Sequence, residues 1–150
     1  MNTTHKAPLL ILLAEDDKDD IYFFKKALAE IPISTQLTIV NDGEELMQYI
    51  TTDHEFFPVL LFLDLSMPRK NGFECLIEIK QNEQLKNLPV IVLTTSIPRN
   101  IHFEETMSKT HTNMGALEYI RKPFNYTELR QIIHTKLTEL IDRKMTGDNQ

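Results

Sequence analysis

The chain has 150 residues, of which 41% are hydrophobic and 25% charged, a size and composition typical of one globular domain with a substantial core. Its 22 acidic and 16 basic residues give a net charge of −6, which disfavours binding to the phosphate backbone of DNA. Its apolar runs fall well short of the about 18 residues of a membrane-spanning helix, and the single cysteine, Cys75, favours a reducing cytoplasm.

Apolar patterning predicts five strands that alternate with five helices. Continuous apolar runs are typical of strands buried on both faces, and apolar residues three or four apart mark helices. In chain order, the predicted elements are a strand at 9–14, a helix at 19–31, a strand at 37–40, a helix after the turn Asn41-Asp42-Gly43, a strand at 59–63, a helix after Gly72, a strand at 90–93, a polar helix at 100–113, a strand at 116–120 and a final helix with an apolar stripe from Leu129 to Leu140. In the third helix we expect Phe73, Leu76 and Ile77 to face the core and Cys75 to lie at the edge.

This alternation predicts an α/β domain in which a parallel sheet lies between two layers of helices. No linker rich in Gly, Ser or Pro interrupts the pattern, so one domain is expected to span 8–143, with polar tails at 1–7 and 144–150 and no output domain. Ligands of open parallel sheets bind outside the carboxyl ends of the strands. The chemistry of the chain is therefore expected at that edge.

Polar side chains stand at the ends of four of the five predicted strands. Glu15 and Asp16 follow the first strand, Asp64 the third, Thr94 the fourth and Lys122 the fifth. Carboxylates gathered at one sheet edge repel one another unless a cation is present, and hard oxygen ligands select Mg²⁺, Mn²⁺ or Ca²⁺. A threonine hydroxyl and a lysine on the opposite side suit a tetrahedral anion. The set therefore predicts phosphoryl transfer to or from an aspartate.

Each of these residues also has an ordinary interpretation. Acids are favoured at a helix N-terminus by the helix dipole, and Asp17, Asp19 and Asp20 are expected to be capping or solvated acids in any case. Thr94 is a good strand former and Lys122 a common loop residue. These ordinary interpretations would have to coincide at four separate strand ends, which favours a functional site.

Five short motifs stand at or beside these strand ends. They are Leu-Leu-Ala-Glu-Asp-Asp at 12–17, Leu-Asp-Leu-Ser-Met-Pro at 63–68, Gly72, Thr94 and Tyr-Ile-Arg-Lys-Pro-Phe at 119–124. In content and order they resemble the motifs of the receiver domain of two-component response regulators. The resemblance implies a flavodoxin-like, doubly wound, five-stranded parallel sheet in the order 2-1-3-4-5. The acidic first motif is most similar to stand-alone regulators, including those paired with bacterial phytochromes.

The resemblance implies a metal site and a phosphoacceptor. Asp64 would accept the phosphoryl group and also bind Mg²⁺, for which Mn²⁺ would substitute. Asp16 would bind the metal directly and Glu15 through a water molecule. The backbone carbonyl of Ser66 would supply a further ligand.

The resemblance also implies that three residues detect the phosphoryl group. Thr94 would hydrogen-bond to it and Lys122 would pair with its oxygens. Tyr119 would swing inward as Thr94 moves and so change the face formed by the fourth helix, fifth strand and fifth helix, although from the residues alone it is equally well a packed strand residue. The peptide bond between Lys122 and Pro123 would be cis.

The implied partners are proteins. A sensor histidine kinase or a phosphotransfer protein would donate the phosphoryl group, an unidentified downstream protein would receive the signal, and neither DNA nor a membrane would be bound. A homodimer through the face just described is a further expectation.

From Thr94 to Lys122 the chain runs 28 residues, several more than in compact receivers, and the extra length falls within 97–113.

Three other classes of protein are open at this point. A receiver-like interaction module would never be phosphorylated, although such modules tend to lose the acid, hydroxyl and lysine set retained here. A phosphatase of the haloacid dehalogenase type would carry a second aspartate two residues after the nucleophile, where this chain has Ser66. An FMN carrier of the flavodoxin type is disfavoured, because its phosphate would face the acids Glu15 and Asp16 instead of a loop rich in serine and threonine.

Overall fold

The computed structural model describes residues 7–52, 57–94 and 116–145, with only the backbone described at 94, 144 and 145. The strands are β1 (Leu9–Ala14), β2 (Thr35–Val40), β3 (Leu60–Leu63), β4 (Val90–Thr94) and β5 (Glu118–Arg121). The helices are α1 (Lys18–Glu30), α2 (Gly43–Thr51), α3 (Gly72–Gln81) and the C-terminal helix (Tyr126–Met145). All pairs of neighbouring strands are parallel and the sheet order is β2-β1-β3-β4-β5, which confirms the predicted doubly wound sheet.

The inner strands β1 and β3 bury both of their faces because helices cover the sheet on each side. Leu12 and Leu61 belong to a core cluster shared with α2 and α3, whereas Ile11 and Phe62 belong to a second cluster shared with α1 and the C-terminal helix. This alternation follows from the two-residue period of a strand. It explains why β1 appears in the sequence as an uninterrupted apolar run.

Each of the four described helices begins with an acid or amide that accepts a hydrogen bond from the first turn; at the C-terminal helix, Asn125 accepts from the N–H of Glu128 (2.8 Å). Asp17 caps α1 and Asp42 caps α2, each by accepting from the backbone N–H three residues later. Asn71 and Glu74 form a reciprocal capping box at the start of α3. The expected capping role of Asp17 is confirmed, and the start of α1 beside the site is held in place by this cap.

The third helix presents a different face from the one predicted. Cys75, Leu76 and Ile79 are fully buried, whereas Ile77 is 44% exposed, so the expectation for Ile77 was wrong. Successive helical residues are about 100° apart, so Cys75 and Leu76 lie on either side of Ile79 at the centre of the buried face, and Ile77 turns toward solvent. Cys75 lies in the core and not at the edge, because it shares the buried face of Leu76 and Ile79.

The element boundaries differ from the predicted ones by one or two residues. β2 begins at Thr35 and β5 begins at Glu118 and extends to Arg121. The predicted helix at 100–113 lies outside the described residues. Among the helices that are described, none combines the length and the apolar character required to cross a membrane.

Candidate functional site

The carboxyl ends of β1, β3 and β5 bring three charged groups to one edge of the sheet. Glu15 directly follows β1, Asp64 follows β3 and Lys122 follows β5. Backbone hydrogen bonds extend the sheet to the two acids, since the N–H of Glu15 donates to Val40 (2.9 Å) and that of Asp64 to Ala14 (3.0 Å). Both acids therefore hold fixed positions relative to the sheet.

Three carboxylates converge at this edge. Glu15 and Asp64 are only 3% and 5% exposed, whereas Asp16 is exposed. One oxygen from each of the three lies within 4.8 Å of the others. The structure thus brings together three of the predicted metal ligands.

The loop after β3 is folded back against its own strand end. The backbone N–H of Ser66 donates to Asp64 Oδ1 (3.3 Å) and that of Gly72 donates to the carbonyl of Leu65 (3.0 Å). A Cβ atom on Gly72 would lie 2.5 Å from the Asp64 carbonyl oxygen and 2.8 Å from Leu65 Cα. Glycine at this position therefore permits the close packing that places Asp64. The predicted metal contact of the Ser66 carbonyl stays a prediction.

Lys122 provides the positive charge of the site. Its Nζ lies 2.5 Å from Glu15 Oε1, 2.7 Å from Asp20 Oδ2 and 3.8 Å from Asp64 Oδ2. The side chain of Lys122 is only 10% exposed, so these ion pairs are shielded from water on most sides. Asp20 was expected to be an ordinary acid of α1 and is instead a direct partner of the lysine. Asp20 lies in the first turn of α1, which begins at Lys18, and nothing in the local sequence indicated its pairing with Lys122.

Burial and mutual charge shift the ionisation of this cluster. The pKa of Glu15 is raised to about 7, mainly by burial and also by the nearby Asp64, while the hydrogen bond and charge of Lys122 act in the opposite direction. Burial alone would lower the pKa of Lys122, but the hydrogen bonds to Asp20 and Glu15 raise it above its usual value. The lysine is therefore fully charged, while the carboxylates remain in excess over it.

An excess of buried carboxylates fits a hard divalent cation. Mg²⁺ prefers oxygen ligands, takes one or two protein carboxylates and completes its octahedron with water and phosphate oxygens. Glu15, Asp16 and Asp64 offer such oxygens without a histidine or cysteine in the group. The donor set therefore fits Mg²⁺ or Mn²⁺ better than zinc.

The two residues of the predicted switch lie near the same edge. Thr94 ends β4 and is paired in register with Arg121, but its side chain is outside the described part of the chain, so its predicted contact with a phosphoryl group stays a prediction. Tyr119 is half-buried in β5 against the core cluster of α2 and α3, and burial raises its pKa to about 12. This position is that of a packed strand residue, and the movement of Tyr119 stays a prediction.

The implied cis peptide before Pro123 is wrong for this structure. Among the described residues no peptide bond is cis, so Lys122 and Pro123 are joined by a trans bond. The trans isomer is the intrinsically preferred one for bonds that precede proline, by about 0.5–1 kcal/mol.

A cleft of about 240 Å³ gives access to the site. Asp64 and Lys122 line it together with three aromatic residues: Phe23 from α1, Phe124 from the segment after β5, and Tyr126 at the start of the C-terminal helix. Phe124 is 97% exposed. A donor molecule therefore has a route to Asp64 even though that carboxylate is largely buried.

Together, the fold and the site define a doubly wound α/β protein with an acidic, lysine-containing pocket at the strand ends. The family model for the response regulator receiver domain matches residues 11–134. The chain belongs to this family and is a receiver of two-component signalling. The classes of phosphatase and FMN carrier that the residues left open are thereby excluded.

Relatives in this family support the assignment. The chain is 41% identical over 100 residues to the response regulator Rcp1 of Synechocystis sp., a match that covers 64% of this chain and 68% of the relative. The crystal structure of the phosphorylated cyanobacterial phytochrome response regulator RcpA superposes with a TM-score of 0.74 at 36% identity, covering 86% of this chain and 91% of that one. The Mn²⁺-bound form of Rcp1 superposes with a TM-score of 0.71 at 34% identity, covering 85% and 91%.

Proposed function

We propose that the protein accepts a phosphoryl group on Asp64 and signals through the change that this group produces. The observation that carries the proposal is the meeting of a buried carboxylate, two further acids and a buried lysine at one accessible edge of the sheet. An acid buried at a strand end is costly unless it is partnered, and Asp64 has both a cation partner in Lys122 and a route to solvent.

The reaction is a displacement at phosphorus. A carboxylate oxygen of Asp64 attacks the phosphorus of a phosphohistidine or of a small acyl phosphate, and the bond from phosphorus to the donor nitrogen or oxygen breaks. A phosphohistidine donor leaves as neutral imidazole after its nitrogen takes up a proton, and an acyl phosphate donor leaves as a carboxylate anion. Such transfers depend on positioning and on neutralising charge, which Lys122 supplies from within ion-pair distance of Asp64 (3.8 Å).

The same site would hold Mg²⁺, with Mn²⁺ as a substitute. Glu15, Asp16 and Asp64 would be the side-chain ligands, together with the backbone carbonyl of Ser66. When bound, the metal would neutralise charge on the transferred phosphoryl oxygens. The existence of a Mn²⁺-bound form of the relative Rcp1 supports a divalent cation of this kind.

Both proposed partners, the phosphoryl donor and the downstream target, are proteins. A sensor histidine kinase or a phosphotransfer protein would donate the phosphoryl group, and because RcpA is named a phytochrome response regulator, a phytochrome kinase is the first donor to test. The net charge of −6 disfavours DNA as the target, so the output is assigned to an unidentified protein. The buried free thiol of Cys75 accords with the reducing cytoplasm as the location.

The homodimer and the domain boundaries remain proposals of the same kind. Dimerisation would use β5, the C-terminal helix and the predicted helix at 100–113, which lies outside the described residues. One receiver domain over 8–143, flanked by polar tails, is consistent with a core whose last buried residue in the described chain is Leu140.

Incubation with acetyl phosphate tests the proposal. In the presence of Mg²⁺ the protein is expected to gain one phosphoryl group, detected by intact mass under denaturing conditions, and chelation of the metal with EDTA is expected to prevent the gain. Asp16→Asn should slow the reaction strongly because it removes an exposed metal ligand without disturbing the core.

A folded wild-type protein that gains no phosphoryl group in this assay would overturn the proposal. It would then favour the interaction module that is never phosphorylated. Circular dichroism before and after incubation distinguishes that result from simple unfolding.

A further inference from the structure

The resting position of Lys122 is set by two carboxylates other than Asp64. Its Nζ hydrogen-bonds to Glu15 Oε1 (2.5 Å) and Asp20 Oδ2 (2.7 Å), whereas Asp64 Oδ2 at 3.8 Å is beyond hydrogen-bond distance. An ammonium group has three N–H donors, and here two of them are already used by acids. The lysine is therefore only partly available to a group on Asp64.

Asp20 reaches the lysine from the first turn of α1. The backbone N–H of Asp20 donates to the N-cap side chain of Asp17 (2.9 Å), which holds this turn in place. The ion pair with Lys122 then joins α1 to the segment after β5, 102 residues further along the chain. Asp20 is 41% exposed and Lys122 is 10% exposed, so the acid approaches a largely buried ammonium group from the more open side.

We propose that Asp20 is a positioning residue that competes with the phosphoryl group for Lys122. This inference rests on the proposed phosphorylation of Asp64. A phosphoryl group brings further negative charge and new acceptor oxygens to the site. These oxygens need N–H donors, and in the resting protein one N–H of Lys122 donates to Asp20 instead. Capture of the phosphoryl group by Lys122 thus requires the lysine to exchange Asp20 for a phosphoryl oxygen.

The exchange makes Asp20 a restraint on phosphorylation. Its carboxylate holds Lys122 beyond hydrogen-bond distance of Asp64, and its charge also repels the incoming anion. Glu15 has a different role, because it is almost fully buried and belongs to the acid cluster that would hold the metal. Removing the charge of Asp20 alone should therefore free the lysine and leave the metal ligands intact.

Three matched variants test this assignment in the acetyl phosphate assay at fixed Mg²⁺. Asp20→Asn keeps the shape of the side chain and is expected to raise the phosphorylation rate constant about threefold to tenfold, the range for loss of a partly exposed ion pair. Asp20→Glu keeps the charge and should return the rate toward that of wild type. Asp19→Asn removes the same charge in the same helical turn, but Asp19 lies outside the ion pairs of Lys122 among the described residues, so the rate should stay within about twofold of wild type.

Salt separates a specific contact from a general effect of charge. In about 0.5 M salt, exposed charges are screened within a few ångströms, so a general gain would vanish while the gain from release of a largely buried lysine should persist. A merely structural role for Asp20 would instead lower the thermal midpoint and slow the reaction.

The outcomes distinguish this inference from the function on which it rests. If wild-type protein is never phosphorylated, the proposed function fails and this inference fails with it. If wild type is phosphorylated and Asp20→Asn reacts no faster than Asp19→Asn, only the role of Asp20 is overturned. A gain for Asp20→Asn that is absent in Asp20→Glu and persists in salt supports it.

Discussion

Asp64→Asn is expected to abolish the phosphoryl adduct formed from acetyl phosphate and to stabilise the metal-free protein. The amide lacks the anionic oxygen that attacks phosphorus, so no aspartyl phosphate can form. The same change removes one of several crowded carboxylates at the strand ends. A gain of at least about 1 kcal/mol, the energy of two unit charges about 4 Å apart in water, corresponds to a thermal midpoint at least about 2–4 °C higher at this chain length.

The stability gain expected for Asp64→Asn depends on repulsion among the clustered acids Glu15, Asp16 and Asp64, and not on the net charge of the protein. Burial is the main reason for the raised pKa of Glu15, and the nearby Asp64 adds to it, which indicates that the two acids repel each other when no cation is bound. Asp142→Asn changes the same charge at an exposed position of the C-terminal helix and should leave both the adduct and the midpoint unchanged. Intact mass and differential scanning calorimetry provide the two measurements. An adduct that survives in Asp64→Asn would contradict the assignment of the phosphoacceptor.

Gly72→Ala is expected to damage stability and phosphorylation together. The added methyl group would lie 2.5 Å from the carbonyl oxygen of Asp64 and 2.8 Å from Leu65 Cα, and both of these are backbone atoms that cannot rotate away. Overpacking of this kind typically lowers the free energy of unfolding by about 1–3 kcal/mol. The backbone that must move carries Asp64, so the phosphorylation rate should fall by about tenfold or more, because even small misplacement of reacting groups is costly.

A core variant of similar stability separates the two effects. Ile79→Val shortens a fully buried side chain two turns further along α3, at a cost of about 0.5–1.5 kcal/mol, without touching the loop after β3. Urea unfolding should show both variants to be destabilised, whereas the acetyl phosphate assay should show Ile79→Val close to wild type. If Ile79→Val slows the reaction as much as Gly72→Ala, stability alone explains the loss and the positioning role of Gly72 is wrong.

The sheet and its functional edge could be predicted because both depend on local sequence pattern. β1 was located correctly because a strand buried on both faces is apolar at every position from Leu9 to Ala14. Glu15, Asp64 and Lys122 were located because parallel strands bring their carboxyl ends to one edge, whatever the details of packing. The order of the strands came from the family resemblance, since strand alternation alone does not specify which strands are neighbours.

The contacts within the site depend on distances that no local pattern contains. The pairing of Lys122 with Asp20 joins residues 102 positions apart, and Asp20 also had an adequate explanation as an acid in the first turn of a helix. Ile77 was misplaced because the apolar run from Cys75 to Ile77 spans about 200° of the helix, so the run alone does not define which side is buried. The trans bond before Pro123 likewise differs from what the family implied.

The most direct test of Asp64 as the phosphoacceptor is to locate the phosphoryl group in the chain. Reduction of the phosphorylated protein with borodeuteride converts an aspartyl phosphate into deuterated homoserine, which proteolysis and tandem mass spectrometry assign to a position. We predict homoserine at position 64 after treatment with acetyl phosphate and Mg²⁺, and none when EDTA is present. Reduction at Asp16 or Asp20 instead, or a phosphorylated protein that yields no homoserine, would contradict this prediction.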